Sequence, residues 1–293
     1  MPTPDAEDLL AGIETEAPFG AFPPRPLDRA VWAAADWRPL PAPWRRRLRK
    51  RFARPRAGPF DIVHEGMRMR LYPAENQCDR VVFGRRSWPE PEEHKALEAH
   101  LSPGMVTGMV PGMVYVDVGA NVGSYCLHVA RHAPGARIVA FEPHPRTRAK
   151  LVTNLALNGL GTRDVLPFAL GETDGTLDLW SDGGSNIGHT SLLPGATANP
   201  ARSVAVAVRR LPDVLAERGV NGIDVMKIDI EGYEDRALMP LLSAEPALWP
   251  KVLLLETAHA GFWEHDLMAA LSRRGYRRDF ATKENVILTR KPA

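Results

Sequence analysis

Short apolar runs alternate with amphipathic stretches through the C-terminal two-thirds of the chain. Residues 112–118, 137–142, 163–169, 224–229 and 251–256 are apolar runs of strand length, the pattern of strands buried on both faces. Between and after them, 122–132, 145–158, 211–218, 233–243 and 263–274 carry apolar residues at helical spacing. Such alternation predicts an α/β fold with a doubly wound, mostly parallel sheet. Residues 276–280 and 285–290 finish it as an antiparallel hairpin. Residues 177–180 and 203–209 read as added strands flanking a glycine-rich loop, 181–201. Upstream, 60–73 alternates as a β-hairpin turning at Glu65-Gly66, and 89–101 reads as a helix. The chain thus divides into an N-terminal extension (1–57), a hairpin-and-helix cap (58–111) and a main domain (112–293).

The extension has a different character. It is rich in proline, contains Trp32, Trp37 and Trp44, and turns strongly basic from Arg45 to Arg56. Trp44, Leu48 and Phe52 recur at i, i+4 and i+8, the stripe of a short amphipathic helix. That stripe suits either docking on the core or weak contact with an anionic membrane surface. A net charge of +2 over 293 residues gives no global reason to expect nucleic acid. Two cysteines, Cys78 and Cys126, are too few for a disulfide framework and fit a reducing compartment. Residues 1–22 hold five acids and no base, unlike a signal peptide, and no apolar run approaches the ~20 residues of a membrane span. A cytoplasmic location is expected. Nothing in the sequence fixes an oligomeric state.

Chemistry concentrates where the first main strand ends. Asp117 closes the strand, and Gly119, Asn121, Gly123 and Ser124 form a turn into the next helix. Ligands of open α/β sheets sit at such carboxyl ends, and glycine lets backbone approach them closely. Glu142 ends the second strand, where a carboxylate accepts hydrogen bonds from ribose hydroxyls. The turn is one glycine short of a dinucleotide loop, and Asp117 would repel a pyrophosphate. S-adenosylmethionine offers a ribose and an ammonium and carries no phosphate, so it is the favoured ligand. Asp117 is assigned to the ammonium side, Glu142 to the ribose, and Phe168 and Ala169 to the border of the adenine.

Five segments together resemble the FkbM family of S-adenosylmethionine-dependent methyltransferases: residues 116–123, Phe141 to Pro145, Asn154 to Gly159, Ala169 to Gly175 and Val225 to Glu234. The resemblance spans roughly residues 80–290 and does not reach the basic stretch. It implies a class I (Rossmann-like) methyltransferase fold and O-methylation of a hydroxyl on a sugar, glycan precursor or secondary metabolite.

An alcohol needs a base or a metal to carry its proton away. Asp229, at the end of the 224–229 strand, is the first candidate base, with Glu231 opening the next helix the second. Glu256 ends the adjacent strand, and His259 follows three residues later as a further candidate. Asp229, Glu231 and Glu256 would also suit Mg²⁺, although the reading taken is metal-independent. Asn186 and His189, in the glycine-rich loop, are expected to bind acceptor hydroxyls or to approach the methionine end of the cofactor. Three rival functions remain at this level: an NAD-linked oxidoreductase, a non-catalytic nucleoside-binding protein, and an RNA methyltransferase using the basic helix.

Overall fold

The computed structural model describes residues 9–37, 39, 41–53, 55–101, 112–182, 190–194 and 200–290. Its centre is a seven-stranded sheet. Four strands run parallel to one another beside β3 (Val114–Val118): β4 (Arg137–Phe141) and β5 (Val165–Leu166) on one side, β10 (Val225–Ile228) and β11 (Val252–Glu256) on the other. Two antiparallel strands, β13 (Asn285–Thr289) and β12 (Arg277–Ala281), complete it in the order β12-β13-β11-β10-β3-β4-β5. The doubly wound sheet and C-terminal hairpin read from the sequence are both present. The order reverses between β3 and β10, which puts a crevice at their carboxyl ends.

The sheet is buried on both faces. On one side Met113, Tyr115 and Leu254 join the helices α5 (Ser124–His132) and α6 (Pro145–Ala156). On the other, Val116, Met226 and Leu253 pack with α7 (Leu211–Glu217), α8 (Glu234–Leu242) and α9 (Leu267–Arg273). Every residue of β10 and β11 is buried, which explains why both are apolar except for Lys227 and the closing Glu256.

The run at 163–169 is not one strand. Val165–Leu166 pairs with β4 in the main sheet, and Ala169–Leu170, here β6, pairs with β9 (Pro200–Arg209) in a second sheet. Pro167 lies between them. It has no N–H to continue a ladder, and the chain changes sheets there. The second sheet is ordered β6-β9-β7-β8, with β7 (Gly175–Asp182) antiparallel to β9 and to β8 (Thr190–Ser191). These are the added strands expected around the glycine-rich loop.

The hairpin is β1 (Phe60–His64) and β2 (Met67–Leu71), turning at Glu65-Gly66 as read. Phe60, Met69 and Leu71 join the same core as α5 and α6. Asn154 and Asn158 tie it to α6, through the Arg70 N–H to Asn154 Oδ1 (2.8 Å) and the Arg68 N–H to Asn158 Oδ1 (2.8 Å). The helix expected at 89–101 is the shorter α4 (Pro91–Glu98). Two helices have no counterpart in the sequence reading: α1 (Pro26–Asp36) and α3 (Gln77–Arg85). Asn76 caps α3, its Oδ1 accepting from Cys78 N and Asp79 N.

The basic helix is α2 (Ala42–Ala53), and its apolar stripe does not dock as a unit. Phe52 stacks on Phe83 at 6.4 Å, but Trp44 is 63% and Leu48 36% exposed. The face turned inward carries Arg49 and Ala53, which meet Gly84 of α3 so closely that a Cβ there would lie 2.8 Å from Ala53 Cβ. Among the described residues no helix is long and apolar enough to cross a membrane.

Candidate active site

A cleft enclosing about 840 Å³, open to solvent, lies at the carboxyl ends of β3, β4 and β10. Its floor is the glycine turn. Gly119 has φ +77°, and a Cβ there would sit 2.0 Å from the Asp229 carbonyl oxygen; only glycine fits. Gly123 has φ +91° and presses on Leu151. Asn121 also adopts a left-handed backbone (φ +51°). This turns its N–H onto Glu142 Oε2 at 3.0 Å, while the His144 N–H reaches Glu142 Oε1 at 2.9 Å. Burial still pushes the Glu142 carboxyl up to about 7 against those two donors. Glu142, Gly119, Asn121, Ser124, Phe168 and Ala169 all line the cleft.

Asp117 does not. It is fully buried beneath the turn, accepting from the Cys126 thiol at 3.1 Å, with its other oxygen 3.8 Å from Lys227 Nζ. The group that faces the cleft above it is Lys227. The Lys227 ammonium donates to the Gly119 carbonyl at 2.9 Å and lies 3.3 Å from Asp229. Burial would lower this ammonium, but Asp229, Asp117 and Glu90 outweigh it and hold it above its ordinary value.

A wall that the sequence did not reveal comes from the cap. Glu90 has a left-handed backbone (φ +48°) and accepts from the Tyr125 hydroxyl at 2.8 Å. Burial first, then the Asp229 charge, raises its carboxyl. Stacking of His94 on Tyr125, with ring centres 3.9 Å apart, fixes the tyrosine. Cys78 and Pro89 line the same side, and Asn76 donates to Asn121 at 2.7 Å, joining α3 to the turn.

On the far side Asp229 and Glu231 line the cleft. Glu231 is held at φ +57°, an uncommon backbone of the kind found at functional sites. His259 Nδ1 sits 3.1 Å from Glu231 and 3.2 Å from Glu256. Burial, then Asp229, Glu234 and Glu231, drives the Glu256 carboxyl upward. Glu256 and His259 stand behind Glu231 rather than in the cleft wall. Asp229, Glu231 and Glu256 do not converge on one point. Among the described residues, three metal-ligating side chains come within 4.8 Å of one another only at Glu98, His128 and His132. Asn186 and His189 lie outside the described residues, while Thr190 and Leu192, beside them in the chain, line the cleft.

Residues 117–278 match the family model of the methyltransferase FkbM domain. The chain belongs to the FkbM methyltransferase family. It is 32% identical to methyltransferase sdnD of Sordaria araneosa over 192 residues, covering 55% of this chain and 72% of that protein. It is 29% identical to the 31-O-demethyl-FK506 methyltransferase FkbM of Streptomyces tacrolimicus, covering 47% of this chain and 62% of that protein. It is 26% identical to the 2-O-methyltransferase NoeI of Sinorhizobium fredii, covering 41% and 54%.

The family match spans the glycine turn, Glu142, Lys227, Asp229, Glu231 and His259 of this methyltransferase, but not Glu90 or Cys78. Lys227 alternates with Asp229 and Glu231 at period two, a signal in the sequence that puts it on the site's face of β10. Glu90 carries no such signal, because it reaches the cleft through the fold of the cap.

Proposed function

We propose that this methyltransferase uses S-adenosylmethionine and methylates a hydroxyl of a sugar, glycan precursor or secondary metabolite. The cofactor brings a methyl group already activated on a sulfonium, so the protein's work is positioning and proton management. The residues present fit such a ligand. Glu142 has given one lone pair on each oxygen to backbone donors and keeps the others for a ribose diol. Phe168 and Ala169 offer an apolar border for an adenine. Lys227, Glu90 and Asp229 supply both signs of charge at the other end, matching an amino-acid carboxylate and ammonium. Asp117 acts there through Lys227.

The observation that carries the hydroxyl reading is the Glu231 carboxylate in the cleft wall, which shares one nitrogen of His259 with Glu256. A carboxylate in the cleft wall, held at 3.1 Å by His259 Nδ1, the nitrogen that also lies 3.2 Å from the buried Glu256, can take a proton from an alcohol and keep its geometry while doing so. Asp229 is already engaged by the Lys227 ammonium at 3.3 Å; its place is to orient. The Streptomyces relative, a 31-O-demethyl-FK506 methyltransferase, and the Sinorhizobium relative, a 2-O-methyltransferase, support the same reading.

The test is transfer of label from methyl-labelled S-adenosylmethionine to a panel of hydroxylated sugars and polyketides, with products read by mass spectrometry and NMR. A methyl ether is expected. A product methylated at nitrogen or carbon would overturn the hydroxyl assignment.

A further inference from the structure

The outward face of α2 is built for something other than the core. Trp44, Arg47, Leu48 and Arg51 stand at i, i+3, i+4 and i+7, which places them on one helix face, and all four are exposed. Arg46 and Lys50 flank that face, also exposed. Trp37, in the connection leading into α2, is 62% exposed. From Ala42 to Ala53 the helix has six cations and no acid. The opposite face explains why this one is free to point outward: Arg49, Phe52 and Ala53 pack on α1 and α3, with Arg49 paired to Asp36.

Beside the helix runs a groove of about 490 Å³ between α2 and α3. It is lined by Arg49, Lys50, Arg80 and Arg85 together with Gln77, Val81 and Gly84, and none of these is acidic. We infer that α2 and this groove dock the protein on an anionic lipid surface, with Trp44 and Leu48 entering the headgroup–acyl boundary and the groove receiving headgroup phosphate. Tryptophan prefers that boundary, and clusters of four or more cations on an amphipathic helix are attracted to anionic leaflets. Trp44 and Leu48 share the exposed face with Arg47 and Arg51, the arrangement of a helix that lies in a lipid interface. The same α3 whose side forms the groove carries Cys78 into the cleft, so docking would bring the active site to the membrane surface, where a lipid-borne acceptor would meet it.

The experiment is flotation of the full chain with vesicles of phosphatidylcholine alone or with about a third phosphatidylglycerol. Two double variants accompany it: Arg47→Glu with Arg51→Glu, and Trp44→Ser with Leu48→Ser. Both pairs are exposed and outside the cleft, so unchanged thermal midpoints and S-adenosylhomocysteine binding are expected and verify the fold. The wild type should bind anionic vesicles at least about tenfold more tightly than neutral ones, weakening with salt, and each variant should lose about tenfold or more. Equal binding to both vesicles would overturn the proposal. So would full retention by the Trp44/Leu48 variant, or a single-stranded RNA that displaces the vesicles and depends on the same arginines. Dimerisation through the patch, removed by the same variants while vesicles go unbound, would assign the face to a second copy instead.

Discussion

Lys227 on β10 donates to the carbonyl of Gly119 on the neighbouring β3 turn at 2.9 Å. One buried cation therefore locks the glycine turn from below the cleft, answers the buried Asp117, and presents itself to the ligand. A charge in that position is tolerable only with its partners: removing it leaves Asp117 buried and unpaired. Lys227→Met should cost about 3–5 kcal/mol in urea unfolding. Adding Asp117→Leu should recover a large part of that loss, since the stranded carboxylate goes with it. Additive losses in the double variant would show that the two residues are not coupled.

Gly119→Ala tests the turn itself. The left-handed backbone costs an alanine about 1–2 kcal/mol, and the Asp229 carbonyl must also move away from a Cβ 2.0 Å distant. The variant should melt lower and lose S-adenosylhomocysteine binding. Wild-type binding would mean that the turn is not the cofactor floor.

Glu142 predicts a conflict between stability and binding. Its folded pKa, about 7, is raised above the unfolded value of about 4.5. Such a group adds stability below the unfolded pKa and loses it as pH rises through the folded one. The wild type should therefore lose up to about 3 kcal/mol between pH about 4.5 and 7 through this group. Glu142→Gln should remove that part of the slope. Over the same interval S-adenosylhomocysteine binding to the wild type should strengthen, because the ribose hydroxyls need the ionised carboxylate. Glu142→Ala should lose most of the affinity at any pH. Identical urea midpoints for wild type and Glu142→Gln, compared at pH 5 and 8, would remove the basis for this claim.

Glu231 and Asp229 are separated by their effects on turnover. Glu231→Gln should lower kcat roughly 10²–10⁴-fold, as loss of a general base does, and leave cofactor affinity within about threefold. Asp229→Asn should cost less than about tenfold in kcat. The reverse ranking in single-turnover kinetics would make Asp229 the base.

Much of this was legible in the sequence, for physical reasons that differ by region. The parallel strands announce themselves because β10 and β11 are buried on both faces and so are mainly apolar, with Lys227 and Glu256 as the exceptions. The acids at their ends stand out because a charge that closes an apolar run needs a reason. The split of residues 163–169 was not legible: both halves are apolar, and only the absent N–H of Pro167 marks where the chain leaves one sheet for another. Asp117 reads as a ligand group from its charge and its place at the strand end. Its neighbour across the sheet, Lys227, lies 110 residues later and covers it, and register of that kind appears only once the strands are paired. Glu90 and the outward Trp44 depend on tertiary packing in the same way.

The most direct test of the central claim is calorimetric titration of S-adenosylhomocysteine into the EDTA-treated protein, repeated with Mg²⁺. The proposed site predicts micromolar binding in both conditions, since in that proposal Glu142, Lys227 and the glycine turn hold the ligand without a metal. No binding of S-adenosylhomocysteine in either condition, with binding of NAD instead, would contradict it.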